Sequence, residues 1–135
     1  MMLKKIIYPI LVLLLLSACG GNNNVDLSEK SSAGARRAAE HFYSLLAKGD
    51  AKMYVDNMSQ ASKMDSCKYS QFVDLIDQFL YEEKEIRGGI LVANASEDKM
   101  MDSISMVYLD VLFGDSTREE IMLPLVYSRG RWWLR

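Results

Sequence analysis

His41, Asp110 and Tyr108 are the side chains of this 135-residue sequence whose type and placement suggest proton transfer. His41 is the sole histidine, and an imidazole titrates close enough to neutral pH to serve as a general base. It stands beside Arg37, Glu40 and Ser44 on the polar side of a helical stripe, with no second catalytic group at helical spacing on an inward face. The expectation is therefore a solvated imidazole. Asp110 alternates with Ile104, Met106, Tyr108 and Leu112 along one face of a strand. A carboxylate held among apolar neighbours binds its proton more tightly, which would suit acid–base work together with Tyr43 or Tyr108. The other face carries Val107, Leu109, Val111 and Phe113 and is equally apolar. The alternation alone leaves open which face meets the core.

Binding chemistry has its own candidates. Tyr43, Tyr54 and Trp133 offer large surfaces with a polar tip, and Arg131 adds a planar cation next to Trp133. Trp132 and Leu134 should face the core, which turns Trp133 outward between Arg131 and Arg135. Cys67, beside Lys68 and far from Cys19, has no local thiol partner, and a buried or inert thiol is the expectation. No His, Cys, Asp and Glu cluster has metal-ligand spacing, and no cofactor is implied. GxGxxG, P-loop, GxSxG and HExxH patterns are absent, which leaves nucleotide, acyl-transfer and zinc-protease readings without support. Sixteen Lys and Arg against eighteen Asp and Glu give a net charge of −2, so a nucleic-acid footprint is excluded.

Helices must come first along the chain and strands afterwards. Ala35, Ala38, Ala39, Phe42, Leu45 and Leu46 form one face of a 3.6-residue period, followed by Gly49 as a stop and Asp50 as a cap. Ala51, Tyr54, Val55 and Met58 mark a short second helix. A loop is expected over 59–68. Phe72, Leu75, Ile76, Phe79 and Leu80 mark a third helix over about 69–84, capped by Ser66 or Ser70 and ending in the solvated run 82–85. From Ile86 the composition turns to β-formers. The pattern predicts strands over 86–97, 103–113, 118–127 and 131–135, with a bulge or bend at Gly88-Gly89. Helices followed by consecutive strands imply an α+β domain with helices packed on one face of an antiparallel sheet.

The N-terminus reads as an address. Lys4 and Lys5 precede an eleven-residue apolar run, Ile6–Leu16, which is too short to span a bilayer. Leu16-Ser17-Ala18-Cys19 then resembles the lipobox of bacterial lipoprotein precursors. The resemblance implies a signal peptide over 1–18, cleavage before Cys19 and acyl chains on Cys19, where two or more chains anchor stably. The remaining 117 residues would carry fourteen basic against eighteen acidic side chains, a net charge of −4. Residues 19–31, rich in Gly, Asn and Ser, are expected to form a flexible tether, of which Gly20–Ser31 would reach about 40 Å when stretched. Gly20 supplies no Asp-type retention signal, so the outer membrane is the expected location by analogy, with the leaflet open.

The segment GARRAAEHFYSLLAKGDAKMYVDNM, with GG after the third helix and the closing GRWWLR, resembles nuclear transport factor 2-like (cystatin-like, lumazine-binding-like) domains found in bacterial lipoproteins. The likeness covers about residues 32–135. It implies a cone in which helices pack on a curved antiparallel sheet of about four strands, with a cavity and a surface able to form a homodimer. Enzymes of this fold, such as ketosteroid isomerases and dehydratases, place Asp/Tyr or His/Asp pairs inside the cone. A non-enzymatic envelope module binding a small apolar ligand, a peptide or an envelope protein is the first functional expectation. An isomerase or hydratase using Asp110 is the second, and an inhibitor or immunity-type protein the third.

Overall fold

Helix α1 (Ser32–Ala47) starts where Ser31 Oγ accepts the Gly34 amide hydrogen at 3.0 Å. Its stripe of Ala35, Ala38, Ala39, Phe42, Leu45 and Leu46 is buried, as the period predicts. Gly49 takes a left-handed turn at φ 79°, and Asp50 caps helix α2 (Ala51–Asp56) by accepting from Met53 N. A single turn of 3-10 helix, Ala61–Lys63, leads to helix α3 (Ser66–Arg87). The computed structural model describes residues 25–135. The expected signal peptide, Cys19 and the first part of the tether lie outside the described residues.

Helix α3 is longer at both ends than the sequence pattern predicts. Asp65, not Ser66 or Ser70, is its N-cap, and the helix runs on through the charged stretch to Arg87. Gly88, at φ 77°, ends it as a left-handed cap, so the Gly88-Gly89 pair is a helix stop and not a strand bulge. Gly88 also lies against Gly114: a Cβ on Gly114 would sit 2.3 Å from the Gly88 carbonyl oxygen. Only Val73 of α3 is fully buried, whereas Leu75 and Phe79 of its apolar stripe stay exposed.

Four antiparallel strands follow in sequence order: β1 (Ile90–Met101), β2 (Ile104–Phe113), β3 (Arg118–Ser128) and β4 (Arg131–Leu134). The first strand begins and ends four residues later than predicted, because α3 occupies 86–87 and the β1–β2 turn is Asp102-Ser103 instead of 98–101. Register shifts in β1 fall at Leu91 and Ser96. The last hairpin turns at Arg129 (φ 51°) and Gly130 (φ 79°), the paired left-handed residues a tight turn needs.

The alternation along β2 is resolved cleanly. Ser105, Val107, Leu109, Val111 and Phe113 face inward against α1, with Leu123 and Leu125 of β3 and Trp132 and Leu134 of β4. Met106, Tyr108, Asp110 and Leu112 lie on the outer face and are only half-buried. Burial of sixteen apolar residues in one cluster between the helices and the sheet is the main stabilising term.

Residues 27–31, expected to belong to the tether, are bound to the domain. The backbone N–H of Trp132 donates to Leu27 O at 2.8 Å, and its indole Nε1–H donates to Glu29 O at 2.8 Å. Tyr127 Oη donates to Ser28 O at 2.6 Å, and Arg37 pairs with Glu29 at 3.0 Å. This strap covers part of the free edge of β4, and Asn57–Ser59 covers the rest: Leu134 N donates to Asn57 O and Ser59 N to Leu134 O. Pattern reading missed the strap because it is fixed by its backbone carbonyls, with Leu27 its one apolar side chain packed on the core.

Gly34 lets the strap reach α1, since a Cβ there would stand 2.0 Å from Glu29 O. Gly→Ala within a helix ordinarily stabilises by up to about 1 kcal/mol. Gly34→Ala should instead destabilise the domain by roughly 1–3 kcal/mol, read as a lowered urea midpoint. An unchanged or raised midpoint would show that the strap does not press on α1.

Candidate functional site

The interior between α1 and the sheet is filled. Phe42, Val107, Leu109, Leu125 and Trp132 are fully buried, and Tyr43 and Tyr54 pack among them. Burial pushes the Tyr54 phenol up to about 12 and the Tyr43 phenol further still, with Tyr54 and Glu83 adding to the rise at Tyr43. Both phenols keep their protons at neutral pH. Tyr43 and Tyr54 therefore contribute to the core and its margin.

A wide opening lies where the strap, α1, α2 and β4 meet. This cleft has a volume of about 650 Å³ and is lined by Leu27, Leu45 and Met53 as apolar walls, with His41, Lys48 and Arg131 as bases. Val25, Asp26, Asp50 and Asn57 complete its rim. His41 is half-buried here, not solvated on a free helix face as expected. Burial lowers its pKa below the ordinary imidazole value, and the nearby charges of Lys48 and Arg131 lower it further. Arg131 is held in place by donating from Nε to Trp132 O at 3.0 Å and from Nη2 to Asn57 Oδ1. Burial and the neighbouring Arg129 lower its pKa as well.

Arg131 also stacks on Trp133, its guanidinium carbon 3.8 Å from the ring centroid, and Arg129 stacks at 4.3 Å. Trp133 Nε1 donates to Ser128 O at 2.8 Å. The ring thus lies half-buried on the outer sheet face, flanked by two guanidinium groups, with Tyr69, Asp56 and Met58 around a smaller groove of about 330 Å³. Sequence reasoning put Trp133 and Arg131 together on this face. It does not bring His41 and Lys48 to Arg131, because the packing of α1 against β4 is a long-range contact that side-chain spacing does not encode.

The acid–base candidates are scattered. Asp110 lies on the outer sheet face and pairs with Arg118 at 2.9 Å, both partly exposed. Tyr108 is on the same face under Lys99, whose Nζ is 5.8 Å from the ring centroid. His41 is on the helical side of the sheet. Of the two faces that the sequence left open, Asp110 is on the outer one, away from the cavity that the isomerase alternative needs: strand alternation gives the inner positions to Val107, Leu109 and Val111. Cys67 is exposed in the first turn of α3, not buried. Among the described residues no three His, Cys, Asp or Glu side chains are arranged to hold a metal ion, and no helix is long and apolar enough to cross a membrane.

No family model matches the sequence, and no curated protein matches it significantly. The fold does have solved counterparts. A Campylobacter jejuni protein described as a "Putative NTF2-like transpeptidase" superposes with a TM-score of 0.59 over 72% of this chain and 93% of its own, at 18% identity. The fold is nuclear transport factor 2-like. Its helices precede a four-stranded antiparallel sheet, as the resemblance in the sequence implies. At 18% identity the likeness speaks for this fold and not for a shared reaction. Within the nuclear transport factor 2-like frame, this chain has a packed interior and a basic cleft at its margin.

Two expectations follow. Asp110→Asn should change stability by less than about 0.5 kcal/mol in urea unfolding, as suits an exposed pair; a loss of 2 kcal/mol or more would mean that Asp110 supports the fold. His41 should titrate by NMR below the ordinary value of about 6.5. Because the unfolded chain then holds that proton more tightly, stability is full above about pH 6.5 and declines as pH falls through that value towards the folded pKa. A folded His41 titrating above 6.5 would contradict its burial beside Lys48 and Arg131.

Proposed function

We propose that this chain is a lipid-anchored binding module of a bacterial envelope, held to the outer membrane through Cys19, without a catalytic role. The observation that carries the reading is where the domain is open and where it is filled. The interior that a cone enzyme would use is packed with Phe42, Leu109, Leu125 and Trp132, and Asp110 and Tyr108 stand on the opposite face of the sheet. The open surface is the cleft at Arg131, lined by both bases and apolar side chains.

The strap supports the anchored reading from another side. With residues 27–31 bound to β4, only Gly20–Asp26 remain between the lipidated cysteine and the domain, a span of at most about 25 Å. The cleft, whose wall includes Asp26 and Leu27, would therefore stay close to the membrane surface.

Labelled palmitate tests the anchor. In bacterial cells the full chain should incorporate the label and sediment with membranes. Cys19→Ser should abolish the label. A wild-type chain that is unlabelled and recovered in the aqueous fraction would overturn the reading.

A further inference from the structure

We propose that the cleft takes a small carboxylate carried on an apolar body, with Arg131 and Lys48 holding the carboxylate and Leu27, Leu45 and Met53 covering the body. The inference rests on the binding-module reading and adds the ligand class and the part the strap plays in the site.

Arg131 is a half-buried cation with no carboxylate within ion-pairing distance among the described residues, and Lys48 is likewise without one. A cation withdrawn from water and left without a counter-ion is costly, and an arriving anion relieves that cost. Two donors of the Arg131 guanidinium are engaged, by Trp132 O and Asn57 Oδ1, and these fix its plane. Its remaining donors are available to a carboxylate in the forked geometry that favours this pair.

Two carboxylates also face the cleft. Asp50 Oδ1 accepts from Met53 N as the α2 cap, and Asp26 Oδ1 accepts from Ser28 N and Ser28 Oγ. Both are exposed and serve local turns. Glu40, directly before His41 on α1, accepts at Oε2 from the Ala95 N–H at 2.8 Å. The charges that register at His41 are those of Lys48 and Arg131, both opposing its protonation. Beside His41 the cleft thus presents two cations unpaired among the described residues, while its acids are occupied at the rim. Leu27, Leu45 and Met53 make the rest of the wall apolar, so an anion with a hydrophobic body fits better than a bare one.

One wall is the strap itself, through Leu27, with Asp26 just before it. A ligand touching both strap and Arg131 stabilises the docked strap, and by linkage anything that undocks the strap weakens the ligand.

The single histidine supplies the probe. With the full chain in lipid nanodiscs, the His41 ring proton resonances can be followed while N-acetylleucine, its uncharged amide and acetate are added in turn. N-acetylleucine should shift the resonances saturably and raise the His41 pKa, since a bound anion favours the protonated ring; binding should tighten as pH falls through that pKa. The amide should give no saturable shift, and acetate should require at least about fivefold more ligand. Lys48→Gln should weaken N-acetylleucine about fivefold with an unchanged urea midpoint. Gly34→Ala, which displaces the strap, should weaken it at least as much. Equal shifts from the acid and the amide, or none from either, would overturn the ligand class while leaving the palmitate result untouched. Acetate acting as strongly as N-acetylleucine would overturn the apolar component. Undiminished binding by Gly34→Ala in a chain whose strap is displaced would remove the strap from the site.

Discussion

Trp132 joins the parts of this domain that sequence separates most widely. Its indole is fully buried against α1 and the sheet, and Tyr127 meets it edge-on at 5.2 Å. Its two N–H groups are given to Leu27 and Glu29, about a hundred residues earlier in the chain. A buried indole N–H left without an acceptor would cost about 1–3 kcal/mol, so seating the ring and docking the strap are one event. The strap's docking in turn closes the edge of β4, and the cleft forms in the angle between strap, α1 and α2. Arg131 and Trp133, the residues flanking Trp132, are aimed by the same strand alternation that buries it.

The cleft combines two constraints that ordinarily oppose each other. Arg131 must be rigid enough to present its guanidinium, and stacking on Trp133 with the Asn57 contact achieves that. It must also remain unneutralised, and the two acids that share the cleft with it are engaged in a turn and a cap. Elsewhere on the surface the arginines do find carboxylates: Arg36 pairs with the buried Asp98, Arg87 with Glu83 and Glu119, and Arg118 with Asp110. The contrast singles out the Arg131 end of the sheet as the place where charge is held in reserve.

Much of the fold could be read from side-chain periodicity. The α1 stripe, the Gly49-Asp50 junction and the order of four antiparallel strands all follow from it, because each is enforced by burial of one face. Boundaries were less legible. Ile86, taken as the start of a strand, is exposed on the last turn of α3, where Gly88 and not composition sets the end. The site was legible only in part. Trp133 and Arg131 share a face by alternation, and Asp110 shares the outer face by the same rule. His41 and Arg131 line one cleft with a strap whose attachment depends on backbone carbonyls, and backbone acceptors leave no mark in a pattern of side chains.

The account centres on the closure of Trp132 by the strap, and amide hydrogen exchange measures it directly. The Trp132 backbone and indole N–H groups, with acceptors at Leu27 and Glu29, should exchange only on global unfolding, as slowly as the β2 amides of the core. If both exchange at the rate of the Ser116 turn while the β2 amides stay protected, the strap is not part of the folded domain, and the cleft built on it does not exist in solution.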